Sequence, residues 1–325
     1  MRAWTYAAYG GPDVLEQTDI ETPTPGPGQV CIAVDVAGLN PADWHFMRGE
    51  PRLIRLVSGV GKPKPPAIIG SDVAGVVSAV GDGVTSFAVG DRVVAEVDRG
   101  TCADVVLVKE KRVVRIPDEM DAQTAAALPM AGITAVQALR KVGGSLAGAR
   151  ILVNGASGGI GSMLVQLAAL DGAEVTGVCS GRNVETVQSL GAAHVIDYER
   201  EDFTEGEPGY DVIVDMIGNR PTKDLRRAVR RGGVIVQVGG GNGGKIAGPM
   251  MGLARDSIVA PFTGRRFTSF TATANSVDLA KLVELTASGS IRPLIDRVVP
   301  FDEVPAAMTH LESGHARGKI LIRIR

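Results

Sequence analysis

Between an apolar run, ARILVN (149–154), and a helical one, SMLVQLAAL (162–170), the sequence places Gly155-Ala-Ser-Gly158-Gly159-Ile-Gly161. Four glycines in seven residues are more than a helix start needs, and a strand–turn–helix context is what gives such a pattern meaning. Set against G-x-G-x-x-G, the first glycine is replaced by Ala156, while Gly158 and Gly161 are kept. Gly158 would let the backbone approach a pyrophosphate at the helix N-terminus, where unpaired N–H groups and the dipole favour an anion. Gly161 would let the helix pack closely on the sheet. Gly155, Ser157, Gly158, Gly159, Ile160 and Gly161 are therefore candidate cofactor-binding residues.

The surroundings of this turn set the fold class. AEVTGVCS (173–180), HVID (194–197), DVIVDMIG (211–218), GVIVQVGG (233–240) and RRFTSFTA (265–272) are strand-like, and helical patterns separate them. Short, nearly continuous apolar strands alternating with helices predict a parallel sheet covered on both faces. The first third is different. QVCIAVDVAG, SDVAGVVSAVG, DRVVAEV, ADVVLV and KRVVRIP are short alternating runs bounded by turn residues, which predicts a compact, largely antiparallel β domain. A chain of 325 residues suits about two domains. The expected class is α/β, with a β-rich domain over 1–121, a doubly wound cofactor domain over 122–272 and a mixed α/β tail over 273–325.

Composition narrows the partners. The formal net charge is −2, with Lys and Arg scattered along the sequence, so no footprint for nucleic acid or an anionic membrane is expected. The uncharged run Ala122–Leu139 contains Gln123, Thr124, Pro129, Thr134 and Gln137, too polar for a lipid-facing helix. No secretory h-region opens the chain. Three distant cysteines without a CxxC suit a reducing, cytoplasmic setting.

The second strand of the cofactor domain decides which phosphate is held. A chain preferring NAD usually ends this strand in Asp or Glu, to grip the ribose 2′-OH. Here it runs into Ser180-Gly181-Arg182-Asn183, with Glu174 at its start and Glu185 in the next helix. A hydroxyl, a guanidinium and an amide suit a 2′-phosphate, which Arg182 would bond bidentately. Tyr198 would add a hydroxyl or stack on the adenine. The expected cofactor is NADPH, held by Ser180, Arg182, Asn183 and Tyr198.

Taken in order, several motifs resemble the zinc-independent medium-chain dehydrogenase/reductase superfamily, of the quinone oxidoreductase (ζ-crystallin-like) type. They are Ala37-Gly-Leu-Asn-Pro-Ala-Asp43, PAIIGSDVAGVVSAVG (66–81), GDRVVA (90–95), AAALPMAGITAVQAL (125–139), the glycine turn, LGAAHVIDY (190–198) and ESGHARGKILI (312–322). The resemblance covers nearly the whole chain. It implies a GroES-like β domain over 1–121 completed by the C-terminal tail 273–325, with a Rossmann domain, 122–272, inserted. It also implies Asn40 and Thr134 near the nicotinamide, Asp43 beside the substrate, Val238, Gly239 and Gly240 along the cofactor, and Lys319 returning from the tail. A homodimer pairing through RRFTSFTA is implied as well. His45 is the nearest conventional proton donor in sequence, so Asn40, Asp43 and His45 are the catalytic candidates.

The departures from zinc-dependent members of the superfamily are informative. Where those carry a catalytic cysteine this chain has Asn40, and where they carry Gly-His-Glu it has Gly70-Ser71-Asp72. Both swaps remove ligands zinc favours, so no metal is expected. Without a Lewis acid, quinones or alkenes conjugated to a carbonyl are the natural small-molecule substrates. An enoyl-thioester reductase, or an NADPH-binding protein of low turnover, is the alternative.

Overall fold

The computed structural model describes residues 1–205, 209–238 and 264–325. The chain divides into two compact units, one formed by Met1–Ile133 with Ala274–Arg325 and the other by Thr134–Thr273.

The first unit begins with an antiparallel ribbon of β1 (Arg2–Thr5) and β2 (Glu16–Asp19). Its main sheet contains β3 (Gln29–Leu39), β4 (Asp72–Val80), β5 (Arg92–Glu96), β6 (Val105–Lys109) and β7 (Val113–Arg115). The tail adds β14 (Ile295–Pro300) and β15 (Lys319–Arg323), and the order is β14-β15-β3-β4-β5-β7, with β6 also on β3. Only β14 and β15 run parallel. Alternating Val, Ile and Ala fill the interior; Val30, Ile32 and Val34 are fully buried along β3. The tail is bound in place by more than its strands. The Trp4 indole N–H donates to the Phe301 carbonyl at 2.6 Å inside this core, and the two rings meet edge-on.

Between β3 and β4 lie helices α1 (Pro41–Arg48) and α2 (Arg55–Ser58). Asn40, in extended conformation, caps α1; Pro41 sets its first turn and Gly49 ends it at φ +61°. Helix α3 (Ala122–Ala126) packs on β3 and β4, so the first unit extends past the change of sequence character at residue 121. The junction between units falls within α4 (Pro129–Val142).

The second unit is a six-stranded, all-parallel sheet of β8 (Arg150–Asn154), β9 (Glu174–Cys179), β10 (His194–Asp197), β11 (Tyr210–Asp215), β12 (Val229–Val238) and β13 (Arg266–Phe270). The order β10-β9-β8-β11-β12-β13 reverses direction between β8 and β11. This is the doubly wound Rossmann topology, whose crevice lies at the carboxyl ends of those two strands. Ile151, Leu152, Val153, Ile213, Val214, Ile235 and Val236 are all fully buried, as a sheet covered on both faces requires. Strand β12 starts at Val229, four residues before the apolar run at Gly233. An Arg230–Asp211 ion pair and Tyr210–Val229 pairing extend it across an irregular step. Between the strands run α5 (Gly159–Leu170), α6 (Val184–Ser189) and α7 (Thr222–Ala228). In the first unit's tail, α8 (Ser276–Ala287) and α9 (Val304–Glu312) complete the helices of the described residues.

Candidate functional site

In the second unit the glycine turn joins β8 to α5. Gly155 adopts φ +91°, open to glycine but not to most other residues. The Gly155 and Ala156 N–H groups donate to the Val178 carbonyl at 3.1 and 3.0 Å, pinning the turn to β9. A Cβ on Gly161 would lie 2.1 Å from the Gly155 carbonyl oxygen, so only glycine lets α5 start this close to the turn. Gly158 is different: a Cβ there would meet nothing nearer than 3.4 Å. Gly158 caps α5 in extended conformation and has no side chain to cover the helix's first N–H groups. That leaves a cradle for a phosphate.

The neighbouring turn after β9 is tied to the first. The Asn183 amide donates to Ser157 Oγ at 3.2 Å and to Ser180 Oγ at 3.0 Å, so two of the predicted groups position a third. Arg182 is exposed beside them, and Tyr198, half exposed, follows β10 with its N–H on the Cys179 carbonyl. One group was missed by reading along the sequence. A Cβ on Gly181 would meet Asp197 Oδ2 at 2.6 Å, so a carboxylate from the third strand does reach this turn. Asp197 is engaged by the Glu199 N–H and, at 3.6 Å, by Arg200.

At the carboxyl end of β11, Asp215 Oδ1 accepts from Asn154 Nδ2 and from the N–H groups of Ile217 and Gly218, at 2.9–3.0 Å. Asp215 Oδ2 is buried with no partner among the described residues. An orphan acceptor at the switch point, beside a phosphate cradle, fits a dinucleotide bound across it. Thr134, buried, opens the second unit within α4, and Val238 ends β12. Gly239 and Gly240 lie outside the described residues.

In the first unit, β15 brings Lys319 beside the end of β3. Its ammonium donates to the Leu39 carbonyl at 3.0 Å, to Asp72 Oδ2 at 2.7 Å and to Asn40 Oδ1. An ammonium has three N–H donors, and all three are taken. Asn40 Nδ2 donates to the same Asp72 oxygen at 2.9 Å, and the Met130 N–H donates to the other. Lys319, Asp72 and Asn40 are all at least 96% buried. The amide of Asn40 is thus locked in one orientation, with one N–H and one lone pair left over.

Asp43 lies beside this network. Its carboxylate accepts the Asn40 N–H at 2.7 Å, the Gly70 N–H at 3.1 Å and Ser71 Oγ at 3.0 Å. It thereby closes the first turn of α1 and fixes the Gly70–Ser71 segment. Burial, opposed by those hydrogen bonds, pushes its pKa up to about 6. Glu96 pairs with Asp72 across β4 and β5, and its Oε2 is buried without a partner among the described residues. Burial, with the Asp72 charge adding to it, pushes the Glu96 pKa up to about 7. Glu96 is the second group the motifs did not point to; the signal available was a lone carboxylate closing an apolar strand. His45 does not join this cluster. Its Nδ1 meets the Glu50 carbonyl at 2.8 Å, its ring stacks on Trp44, and burial lowers its pKa.

Residues 26–118 match the alcohol dehydrogenase GroES-like domain family, and 190–322 the zinc-binding dehydrogenase family. Over 99% of its length the chain is 34% identical to a chloroplast envelope quinone oxidoreductase homolog of Arabidopsis thaliana, covering 98% of that protein. The chain belongs to the medium-chain dehydrogenase/reductase superfamily, quinone oxidoreductase type. It is an NAD(P)H oxidoreductase. It is also 33% identical, over 99% of its length, to 79% of a chloroplastic NADPH-dependent alkenal/one oxidoreductase of the same plant. The quinone oxidoreductase of Coxiella burnetii has the same fold over 100% of this chain and 99% of its own, with a TM-score of 0.89 at 28% identity. The Escherichia coli quinone oxidoreductase complexed with NADPH shares the fold at TM-score 0.85 over the full length of both chains, at 24% identity.

Proposed function

We propose that this enzyme reduces quinones or α,β-unsaturated carbonyls with NADPH and without a metal ion. The observation that carries the reading is the Lys319–Asp72–Asn40 network. Asn40 and Ser71 stand where zinc-dependent relatives of this type have ligands. In this chain Asn40 is committed to an ammonium and a carboxylate, and Ser71 to Asp43. The Cys102 thiol is fully buried, and burial raises its pKa well above the ordinary value. Among the described residues no group of three His, Cys, Asp or Glu could hold a metal ion. These residues do not fit zinc.

The dinucleotide supplies the hydride when bound, and the chain's residues position it and the acceptor. Gly158 and the start of α5 would take the pyrophosphate. Ser180, Arg182 and Asn183, with Tyr198, would take the 2′-phosphate, Asn183 being held by Ser157 and Ser180. Lys319 acts through Asn40 rather than on the cofactor itself, because its donors are used up. The locked Asn40 amide keeps one N–H and one lone pair for a ligand. Asp43, holding Ser71, sets the polar wall beside the acceptor. A homodimer through the outer edge of β13 completes the reading.

A second reading, in which NADH is the better cofactor, has one observation in its favour: Asp197 reaches Gly181. The test is oxidation of NADPH and NADH in parallel, with 1,4-benzoquinone, 9,10-phenanthrenequinone and a 2-alkenal as acceptors. Turnover should favour NADPH. Arg182→Ala should raise KM for NADPH by about 10- to 150-fold, the loss of a charged hydrogen bond worth about 1.5–3 kcal/mol, and leave NADH unchanged. A lower KM for NADH than for NADPH in wild type, unmoved by Arg182→Ala, would transfer the assignment to NADH.

A further inference from the structure

Ten large hydrophobic residues are exposed among the described ones, and four of them, Leu53, Leu56, Val57 and Val60, fall within eight positions. Val60 is 79% exposed, and Leu56 and Val57 are each 68% exposed. The helical stretch Arg52–Ser58 places Leu53, Leu56 and Val57 at i, i+3 and i+4, on one face. That face is turned the wrong way for a soluble helix. The polar side points inward instead. Ser58 Oγ hydrogen-bonds Tyr9 Oη at 2.7 Å, Tyr9 Oη donates to the Gly59 carbonyl, and the Arg55 guanidinium lies over the Tyr9 ring and donates to the Gly49 carbonyl. The apolar face is therefore held outward by a built anchor.

Cations frame it. The Lys64 N–H donates to the Ser58 carbonyl at 2.8 Å, which folds the segment 59–64 back against the helix end. A Cβ on Gly59 would strike the Lys62 carbonyl oxygen, so this return is as tight as a backbone permits. Exposed Arg52, Lys62 and Lys64 thus flank the aliphatic residues, and from Pro51 to Pro66 there are four basic residues and no carboxylate.

We propose that the segment 51–66 docks this protein reversibly on an anionic lipid surface. The aliphatic side chains enter the headgroup boundary while the flanking cations meet lipid phosphates. The charge argues against a second copy as the occupant: two-fold pairing would set one basic patch against another. The expectation of no membrane footprint came from charges counted over the whole chain, whereas docking depends on this one surface. The inference goes beyond the proposed reaction. If that reading holds, docking brings the enzyme to acceptors that partition into bilayers, as lipophilic quinones do.

The test is sedimentation of the full chain with vesicles of phosphatidylcholine alone, or with phosphatidylglycerol added, at low and high salt. Binding should require the anionic lipid and weaken in high salt. Replacing Arg52, Lys62 and Lys64 together by Ala should weaken it on the order of a hundredfold, about fivefold per cation. Leu56→Glu with Val57→Glu should abolish it. All five positions are exposed, and an unchanged thermal melt confirms that the fold survives. No binding to anionic vesicles at low salt overturns the proposal, as does binding by both variants that equals that of the wild type. Concentration-dependent self-association that Leu56→Glu abolishes, without vesicle binding, would assign the face to a second copy instead. Sedimentation does not involve turnover, so its outcome is independent of which acceptor or cofactor the enzyme uses.

Discussion

Lys319→Met isolates the buried network, because methionine keeps most of the apolar stem and removes only the cation. The wild-type pair sits at 2.7 Å with the lysine side chain 4% and the aspartate 0% exposed. At an effective dielectric of about 20 the gross attraction is about 6 kcal/mol, which desolvation of both ions largely offsets. Removing one partner leaves the Asp72 charge buried, held only by Asn40 Nδ2 and the Met130 N–H. Breaking such a pair costs about 3–5 kcal/mol, far more than the intact pair contributes. At about 2–4 °C per kcal/mol the melting midpoint should fall by about 6–20 °C. The decisive variant is Lys319→Met combined with Asp72→Asn, which removes the orphaned charge. Urea unfolding of wild type, both single variants and the double variant gives the coupling energy. The double variant should recover more than half of the loss, while kcat stays low because Asn40 is no longer locked. A Lys319→Met loss below about 1 kcal/mol, or a double variant as unstable as the single, would show that the cation does not hold this cluster together.

Two glycines of the phosphate turn should separate fold from binding. Gly161→Ala drives a Cβ into the Gly155 carbonyl oxygen and should destabilise the chain or prevent soluble expression, while Gly158→Ala, with 3.4 Å of clearance, should melt normally yet bind NADPH at least tenfold more weakly by fluorescence titration. Glu96 has a folded pKa raised to about 7, so its contribution to stability is full below its unfolded value and is lost as pH rises through 7. Wild type should lose up to about 3 kcal/mol between pH 5 and 8 from this group, and Glu96→Gln should flatten that slope in urea midpoints. Asp43, with a folded pKa of about 6, acts in the same direction at lower pH, so Asp43→Asn should remove the part of the slope centred near pH 5–6.

What could be read from the sequence was whatever is local along it. The glycine turn, its strand and its helix occupy one continuous stretch, and strand periodicity alone exposed the parallel sheet. Ser157, Ser180 and Asn183 were identified from two such turns, and the structure joins them by hydrogen bonds. What escaped is the pairing of residues distant along the chain. Asp72 and Lys319 are 247 residues apart, and Asn40 and Lys319 are 279 apart. Only the placement of β15 against β3 brings them together, and no spacing rule carries that information. Glu96 became notable through its register with Asp72, and Asp197 through a strand order that sets β10 beside β9. His45 shows the reverse case. Proximity in sequence suggested a proton donor, but one turn of α1 carries its ring to the Glu50 carbonyl and away from Asp43's partners.

The division of the first unit between the two ends of the chain orders events during synthesis. Thr134–Thr273 is contiguous, so the Rossmann sheet has all its strands as soon as that stretch has left the ribosome. The other sheet waits for β15, which lies between β14 and β3. Until Lys319 arrives, the Asp72 carboxylate has no cation and Asn40 has no fixed orientation. Translation that stopped before Lys319 would therefore leave the second unit's sheet complete and this buried network without its cation.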